Sequence, residues 1–204
     1  MKRSLLVFLF LGIALLGHGT ESSFLTDVIY HPTAYTLPTG IWELRARFSL
    51  LSLGIPSVSL DYGLNKTLEV GTGLTADLMG FPNLGAKLFL GWFGPVALAF
   101  LGNTSFSISE GSLYLGTGVA MSTIIGPLGV HAGTHLAILP NLYFSSFIAA
   151  DYGFIPNARM LAEMSLPSLA TRLGLLFRLF DILSLKAWSS LFPFSLGASL
   201  GLRF

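Results

Sequence analysis

The chain has 204 residues, a length that suits a single domain. Apolar residues make up 52% of it and charged residues only 10%, whereas soluble domains carry roughly a quarter charged residues, so the composition favours a membrane protein. The net charge of +1 indicates neither a nucleic-acid partner nor an acidic protein surface, and the absence of cysteine excludes disulfides, thiolate metal sites, a cysteine nucleophile and a lipoprotein anchor.

The first 19 residues have the pattern of a secretory signal. A basic start, Met1-Lys2-Arg3, precedes an apolar run over residues 4–16, and Gly17-His18-Gly19 supplies small residues at alternate positions. The apolar run is too short for the roughly 20 residues that a membrane-spanning helix needs, which argues against an uncleaved anchor. We therefore predict a signal peptide over residues 1–19, cleaved after Gly19.

Residues 20–39 show no regular period and contain Pro32 and Pro38. The segment is predicted to be an irregular lead-in, lying either in the periplasm or in the lumen of the domain that follows.

From residue 40 onward, apolar and polar residues alternate in short runs separated by Gly, Pro and Asn turn signals. Side chains of a β-strand alternate between two faces, so each run predicts a strand with one apolar and one polar face. The predicted strands are residues 40–51, 55–62, 67–77, 83–92, 95–106, 112–124, 128–139, 142–152, 158–165, 169–179, 182–189 and 194–204. These lengths are close to the roughly 9–11 residues of membrane β-strands. We predict an all-β fold over residues 40–204: a transmembrane antiparallel up-and-down barrel of about 12 strands, with about 10 as the lower bound, and short turns.

The last strand shows the pattern most clearly. Residues 194, 196, 198, 200, 202 and 204 are apolar, and the residues between them are Gly, Ser or Arg203. One face of such a strand suits lipid and the other suits a lumen.

Charged residues within the predicted strands fall on one face. Arg or Lys facing lipid at the middle of a membrane costs roughly 2–4 kcal/mol, so this face is predicted to line the lumen. The predicted lumen-lining residues are Glu43, Arg45, Arg47, Asp61, Glu69, Asp77, Lys87, His131, His135, Asp151, Arg159, Glu163, Arg172, Arg178, Lys186 and Arg203.

Two interpretations of the lumen charges remain open. Antiparallel neighbours bring Arg45 near Asp61 and Glu163 near Arg172, and such groups form either a constriction that selects ions or pairs that neutralise each other. We favour neutralisation. If the lumen conducts, eight basic residues against six acidic ones predict a weak anion preference that fades at high salt.

A helical membrane protein is the alternative fold. The stretch from Gly111 to Ala150 contains no charged residue apart from its two histidines, which would favour helical spans. Glycine and proline recur every ten to fifteen residues, however, and the period of two continues through Gly116, Gly118, Gly129 and Gly133. We therefore favour the barrel.

These features resemble bacterial outer-membrane β-barrel proteins. The resemblance lies in the signal, in the lead-in over residues 33–40, in the turns Asp61-Tyr62-Gly63 and Asp151-Tyr152-Gly153, and in the terminal Leu202-Arg203-Phe204. It implies an outer-membrane location, surrounding outer-membrane lipid, and both termini in the periplasm. It also implies that the barrel-assembly machinery is a partner, which in this class reads a C-terminal Phe on the lipid face, so Phe204 is the candidate assembly signal. The lack of long surface loops argues against a general porin.

The histidines are the candidates for chemistry. His131 and His135 lie four residues apart on one strand, about 13 Å, which is too far to bind one metal ion together. Tyr143 or Ser145 approaches His135 across the hairpin, but no acid is placed to orient it. The outer-membrane phospholipase, also a twelve-strand barrel, instead carries its catalytic residues on the lipid-facing side. We therefore predict a polar lumen lining, with no enzyme activity, no cofactor and no metal site.

The sequence leaves three functions in order of preference. The first is a narrow passive or selective channel for small solutes, the second is a non-conducting structural or interaction barrel, and the third is a lipid-modifying enzyme. No motif identifies a substrate.

Overall fold

The computed structural model describes residues 25–49, 57–74, 82–107, 111–180, 182–192 and 194–204. They form twelve antiparallel strands in which each strand pairs with its neighbours in sequence and β1 pairs with β12, so the sheet closes into a barrel. The strands are β1 Trp42–Ser49, β2 Ser57–Gly63, β3 Leu68–Leu74, β4 Pro82–Phe93, β5 Val96–Ser107, β6 Ser112–Ile125, β7 Leu128–Leu139, β8 Tyr143–Ile155, β9 Ala158–Leu166, β10 Ala170–Leu179, β11 Leu183–Ser190 and β12 Ser195–Arg203. Nowhere in these ranges is a helix both long and apolar enough to cross a membrane.

The predicted fold class is confirmed, and the described strand ends lie within a few residues of the predicted ones. The predicted ends of the first and third strands, the start of the second, and Asp77 fall outside the described residues. So do the predicted signal and the first five residues of the lead-in.

Backbone hydrogen bonds close the barrel where the chain ends. Trp42 N donates to Phe204 O at 2.8 Å, and Phe204 N donates to Trp42 O at 3.0 Å. Closure leaves β1 and β12 without an unpaired edge, which is the requirement for spanning a membrane with strands. We call this end of the barrel the terminal rim.

The outer face is an apolar belt bounded by aromatic residues. Trp42 stacks on Tyr62 at the terminal rim, with ring centroids 4.4 Å apart. Phe144, on the lipid-facing parity of β8 at the opposite rim, is more than half exposed. Aromatic girdles on both sides of an apolar band are typical of transmembrane barrels.

Residues 25–38 lie inside the barrel as a compact hairpin, which we call the lumen hairpin. Val28 N donates to His31 O at 3.0 Å to form its turn, and Thr33 N donates to Thr26 O at 3.0 Å below the turn. The lumen hairpin enters from the terminal rim, since it is continuous with β1 there.

Apolar side chains of the lumen hairpin form a core with one side of the barrel. Val28 and Ile29 are fully buried and, with Leu25, pack against a cluster on β8 to β11. The wall members of that cluster are Phe147, Ala149, Leu161, Leu176 and Trp188. Burying one such side chain contributes about 1.5–3 kcal/mol, so the lumen hairpin is part of the folded core.

A β-bulge in β4 turns Trp92 toward the lumen, where it contacts Tyr35 of the lumen hairpin. The register between β4 and β5 shifts between Phe89 and Gly91, and Gly91 has φ +130°, a conformation that glycine adopts readily. Beyond the bulge, the Trp92 ring lies 6.0 Å from that of Tyr35. Strict alternation from Lys87 would have placed Trp92 on the lipid face.

Candidate functional site

Asp27 of the lumen hairpin is surrounded by three cations of the barrel wall. Its Oδ2 accepts from Arg45 Nη1 at 3.0 Å and from Arg47 Nη2 at 2.9 Å, and its Oδ1 accepts from Lys186 Nζ at 2.7 Å. Burial alone would raise the pKa of Asp27, but the adjacent cations hold it well below its ordinary range. Asp27 is therefore ionised and bound. Asp27 lies before the first strand and belongs to no alternating pattern, so the sequence did not indicate its role.

Arg45 connects this cluster to two further carboxylates of the wall. Its Nε donates to Glu43 Oε1 at 3.2 Å, and its Nη2 donates to Asp61 Oδ2 at 3.2 Å. Glu43 in turn accepts from Arg203 at 3.1 Å across the β1–β12 seam. The expected neighbours Arg45 and Asp61 are thus in contact, and Arg45 is shared among three acids.

Glu163 binds the turn of the lumen hairpin. Its Oε2 accepts from the successive backbone N–H groups of Ile29, Tyr30 and His31 at 3.1, 2.9 and 3.1 Å. Its Oε1 accepts from Arg172 Nη1 at 3.1 Å. Successive N–H groups that converge on one anion form a concave anion site, here occupied by a buried carboxylate of the barrel itself.

Two more wall residues hold the strands of the lumen hairpin. Glu69 Oε2 accepts from Leu37 N at 2.7 Å. Lys87 Nζ lies 3.1 Å from Glu69 Oε1 and donates to Thr26 O at 3.2 Å. The lumen hairpin is therefore anchored along its whole length, from its turn to its exit at the terminal rim.

Ser122, His131 and Asp151 form a buried polar chain. His131 Nδ1 lies 2.8 Å from Ser122 Oγ, and His131 Nε2 lies 2.7 Å from Asp151 Oδ1. These residue types occur in hydrolytic triads, but all three are at most 3% exposed, and Ser122 Oγ already accepts from Ala34 N at 2.8 Å. Because there is no room for a substrate at Ser122, these three hydrogen-bonded residues serve to hold the lumen hairpin in place. Sequence analysis had singled out His131 but not Ser122.

A cavity of about 450 Å³ remains beside the lumen hairpin, on the side of β2 to β5, β7 and β8. His135 lies on its wall, with Nε2 at 2.9 Å from Asn103 Oδ1, and Ser145 is opposite His135 in the register. Its lining includes His31, Asp61, Glu69, Lys87, Asn103 and Phe147.

Glycines create the open side of this cavity. A Cβ added at Gly85 would meet only Gly102 O, at 3.9 Å, so the space in front of Gly85 is empty. Gly71, next to it in the register, is covered by the Asp61 carboxylate. A side chain introduced at Gly85 would therefore enter the cavity.

The remaining predicted lumen residues lie elsewhere on the wall. Arg159 pairs with Asp151, Arg178 and Arg203 are half-buried, and Asp77 lies outside the described residues. Within the described ranges, no group of three or more His, Asp or Glu side chains is placed to hold a metal ion.

No protein-family model matches the chain, and no curated protein matches it by sequence. Among solved structures, it is similar to the KdgM porin with a TM-score of 0.61 and 8% identity, over 80% of this chain and 98% of that one. It is also similar to the KdgM porin in complex with disordered oligogalacturonate, with a TM-score of 0.59, the same identity and the same coverage. The chain therefore has the transmembrane fold of a bacterial outer-membrane β-barrel, as its sequence resemblance implied.

Proposed function

We propose that this protein is a narrow channel of the outer membrane that passes a small solute between its lumen hairpin and the wall of β2 to β5, β7 and β8. The observation that carries the proposal is the cavity of about 450 Å³ beside the hairpin, whose wall combines apolar surface with polar and charged side chains. The structural similarity to the KdgM porin supports a channel function.

The short turns at the terminal rim support a periplasmic position for both termini. β4 and β5, β6 and β7, and β8 and β9 are each joined there by two residues, and Gly94 and Gly126 supply the positive φ of two of these turns. Outer-membrane barrels keep short turns on the periplasmic side. In this orientation Phe204 lies on the lipid face at the periplasmic rim, where the barrel-assembly machinery would read it.

A non-conducting structural barrel is the second candidate. It is favoured by the lumen hairpin itself, since Val28 and Ile29 are buried in the barrel core and Asp27 is held by three ion pairs. We assign no catalytic role, because Ser122 is covered by the hairpin and the cavity lies elsewhere.

Single-channel recording in planar bilayers distinguishes the two candidates. Replacing Gly85 with Leu fills the empty space in front of it and should lower the conductance severalfold. Gly102→Leu is the matched control: Gly102 borders the cavity with its backbone, but a Cβ added there meets open space on the lipid-facing side, where its register partners Ala86 and Thr117 also point. We expect the control to conduct like the unmodified protein.

Absence of conductance from the unmodified protein at every salt concentration would contradict the channel and support the structural barrel. Equal conductance of the two glycine variants would place the path elsewhere in the lumen.

A further inference from the structure

We propose that the cavity beside the lumen hairpin binds an uncharged, hydrogen-bonding solute of about monosaccharide size. The inference rests on the proposed channel, for which it names the class of solute. It follows from the volume of the cavity, the polar groups on its wall and the way its charges are paired.

The cavity suits a small, compact molecule. Its volume of about 450 Å³ falls at the lower end of the range of about 300–1,000 Å³ found for small-molecule sites. Gly71, Gly85 and Gly102 contribute to its barrel side, and His31 and Pro32 of the lumen hairpin line it as well.

Hydroxyl, amide and imidazole groups face this space. Asn103 accepts at Oδ1 from His135, so its NH₂ group is presented as a donor, and donation from His135 Nε2 leaves Nδ1 as an acceptor. Ser145 adds a hydroxyl that donates and accepts, and Ser59, which donates to Asp61 Oδ2 at 3.5 Å, adds an acceptor oxygen. Groups of both kinds match a solute that itself both donates and accepts.

The charged side chains around the cavity already have partners of opposite charge. Asp61 is paired with Arg45 at 3.2 Å, and Glu69 is paired with Lys87 at 3.1 Å. A cation would have to compete with these partners. An anion would meet two carboxylates and an ammonium that is already committed to Glu69 and Thr26 O. Burial lowers the pKa of His31, so this imidazole adds no positive charge near pH 7.

An apolar patch completes the wall. Phe147 stacks on His31 with ring centroids 4.4 Å apart, and Leu101 also lines the cavity. C–H groups of a polyhydroxylated ring pack against such a surface while its hydroxyls reach the polar groups. This lining also differs from one suited to a polyanion such as the oligogalacturonate seen with the KdgM porin.

Calorimetric titration with three matched probes tests the proposal. D-glucose, D-glucuronate and D-glucosamine share a pyranose ring and differ in charge. We expect the purified, folded barrel to bind D-glucose, and both charged sugars to bind about tenfold more weakly or not at all. Gly85→Leu should abolish the binding, Asn103→Leu should weaken it severalfold, and Gly102→Leu should leave it unchanged.

Tighter binding of D-glucuronate or D-glucosamine, equal binding by Gly85→Leu and the unmodified barrel, or no binding of any probe would overturn the inference. Folding of each variant is verified by its shifted gel mobility without boiling, and Asn103→Leu keeps the test valid if Gly85→Leu does not fold. Conductance without glucose binding defeats this inference alone, whereas glucose binding without conductance defeats the channel alone.

Discussion

Asp27 is the residue through which the lumen hairpin and the barrel wall depend on each other. Lys186 is only 6% exposed, and it donates two hydrogen bonds to Asp27, one to the carboxylate and one to the backbone carbonyl. Arg45, in contrast, keeps Glu43 and Asp61 as partners if Asp27 is lost. The loss of Asp27 therefore leaves one buried ammonium without its carboxylate.

Replacing Asp27 with Asn should lower the free energy of unfolding by about 3–5 kcal/mol, the usual cost of removing one partner from a buried pair. Urea unfolding in lipid vesicles measures it. Adding Lys186→Met to Asp27→Asn should recover part of the loss, because the unpaired ammonium is then gone. Lys66→Gln on the exposed β2–β3 turn is the control and should change stability by less than about 0.5 kcal/mol.

At the scale of elements, the lumen hairpin behaves as an internal core of the barrel. Its contacts are apolar on the side of β8 to β11, and they are ionic or hydrogen-bonded at Asp27, Glu163 and Glu69. Such a segment differs from a loosely seated plug, whose removal would leave a stable, wider pore.

Deleting residues 25–38 should therefore destabilise the barrel. Arg45 and Lys186 lose Asp27, and Leu176 and Trp188 lose their apolar neighbours. The expected result is a marked fall in the fraction that migrates as folded protein on gels without boiling, relative to the unmodified protein. A deletion variant that folds equally well and conducts more would instead identify the hairpin as a removable gate.

The end of β12 combines a lipid-facing Phe204 with a lumen-facing Arg203. Phe204 is 62% exposed on the outer face and contributes backbone hydrogen bonds to Trp42, whereas Arg203 faces the lumen and pairs with Glu43. Deleting Phe204 or replacing it with Asp should reduce the outer-membrane yield more than Arg203→Ala does. Equal yields of the two variants, measured in isolated outer membranes, would count against Phe204 as the assembly signal.

For the ion preference of the whole barrel, the positions of the charged residues matter more than the net charge. The excess of basic residues along the strands predicted a weak anion preference, but Arg172 is bound to Glu163 under the hairpin turn, away from the cavity. Asp61, Glu69 and Lys87 are the acidic and basic residues on the described lining of the cavity. If ions pass there, a weak cation preference is expected at low salt.

Reversal potentials in a salt gradient measure this preference. Asp61→Asn should shift the reversal potential toward anions, while Arg172→Gln should leave it nearly unchanged because that side chain does not line the path. At about 1 M salt, where the screening length falls to about 3 Å, the difference between the variants should largely disappear. A large effect of Arg172→Gln together with none from Asp61→Asn would place the ion path on the other side of the hairpin.

The sequence by itself determined the strands and which face of each strand is polar. Residues such as Glu43, Lys87 and Glu163 sit at alternate positions among apolar neighbours, and the cost of placing a charge in lipid makes that alternation decisive. The pattern is local, so it can be recognised along a single strand, and the turns between strands carry their own Gly and Pro signals. Closure into a barrel follows, because an open edge has no hydrogen-bonding partner in a membrane.

Only the tertiary structure decided what fills the lumen. The hairpin has no periodic pattern, and its contacts join residues far apart in sequence: the Glu163 carboxylate accepts from the backbone of Ile29, 134 residues away. Asp27 and Ser122 gain their roles from partners that are distant in the sequence. The bulge at Gly91 turns Trp92 toward the lumen, although strict alternation along β4 would place it on the lipid face. Such contacts depend on the register of twelve strands around a closed circle, which no single stretch of sequence contains.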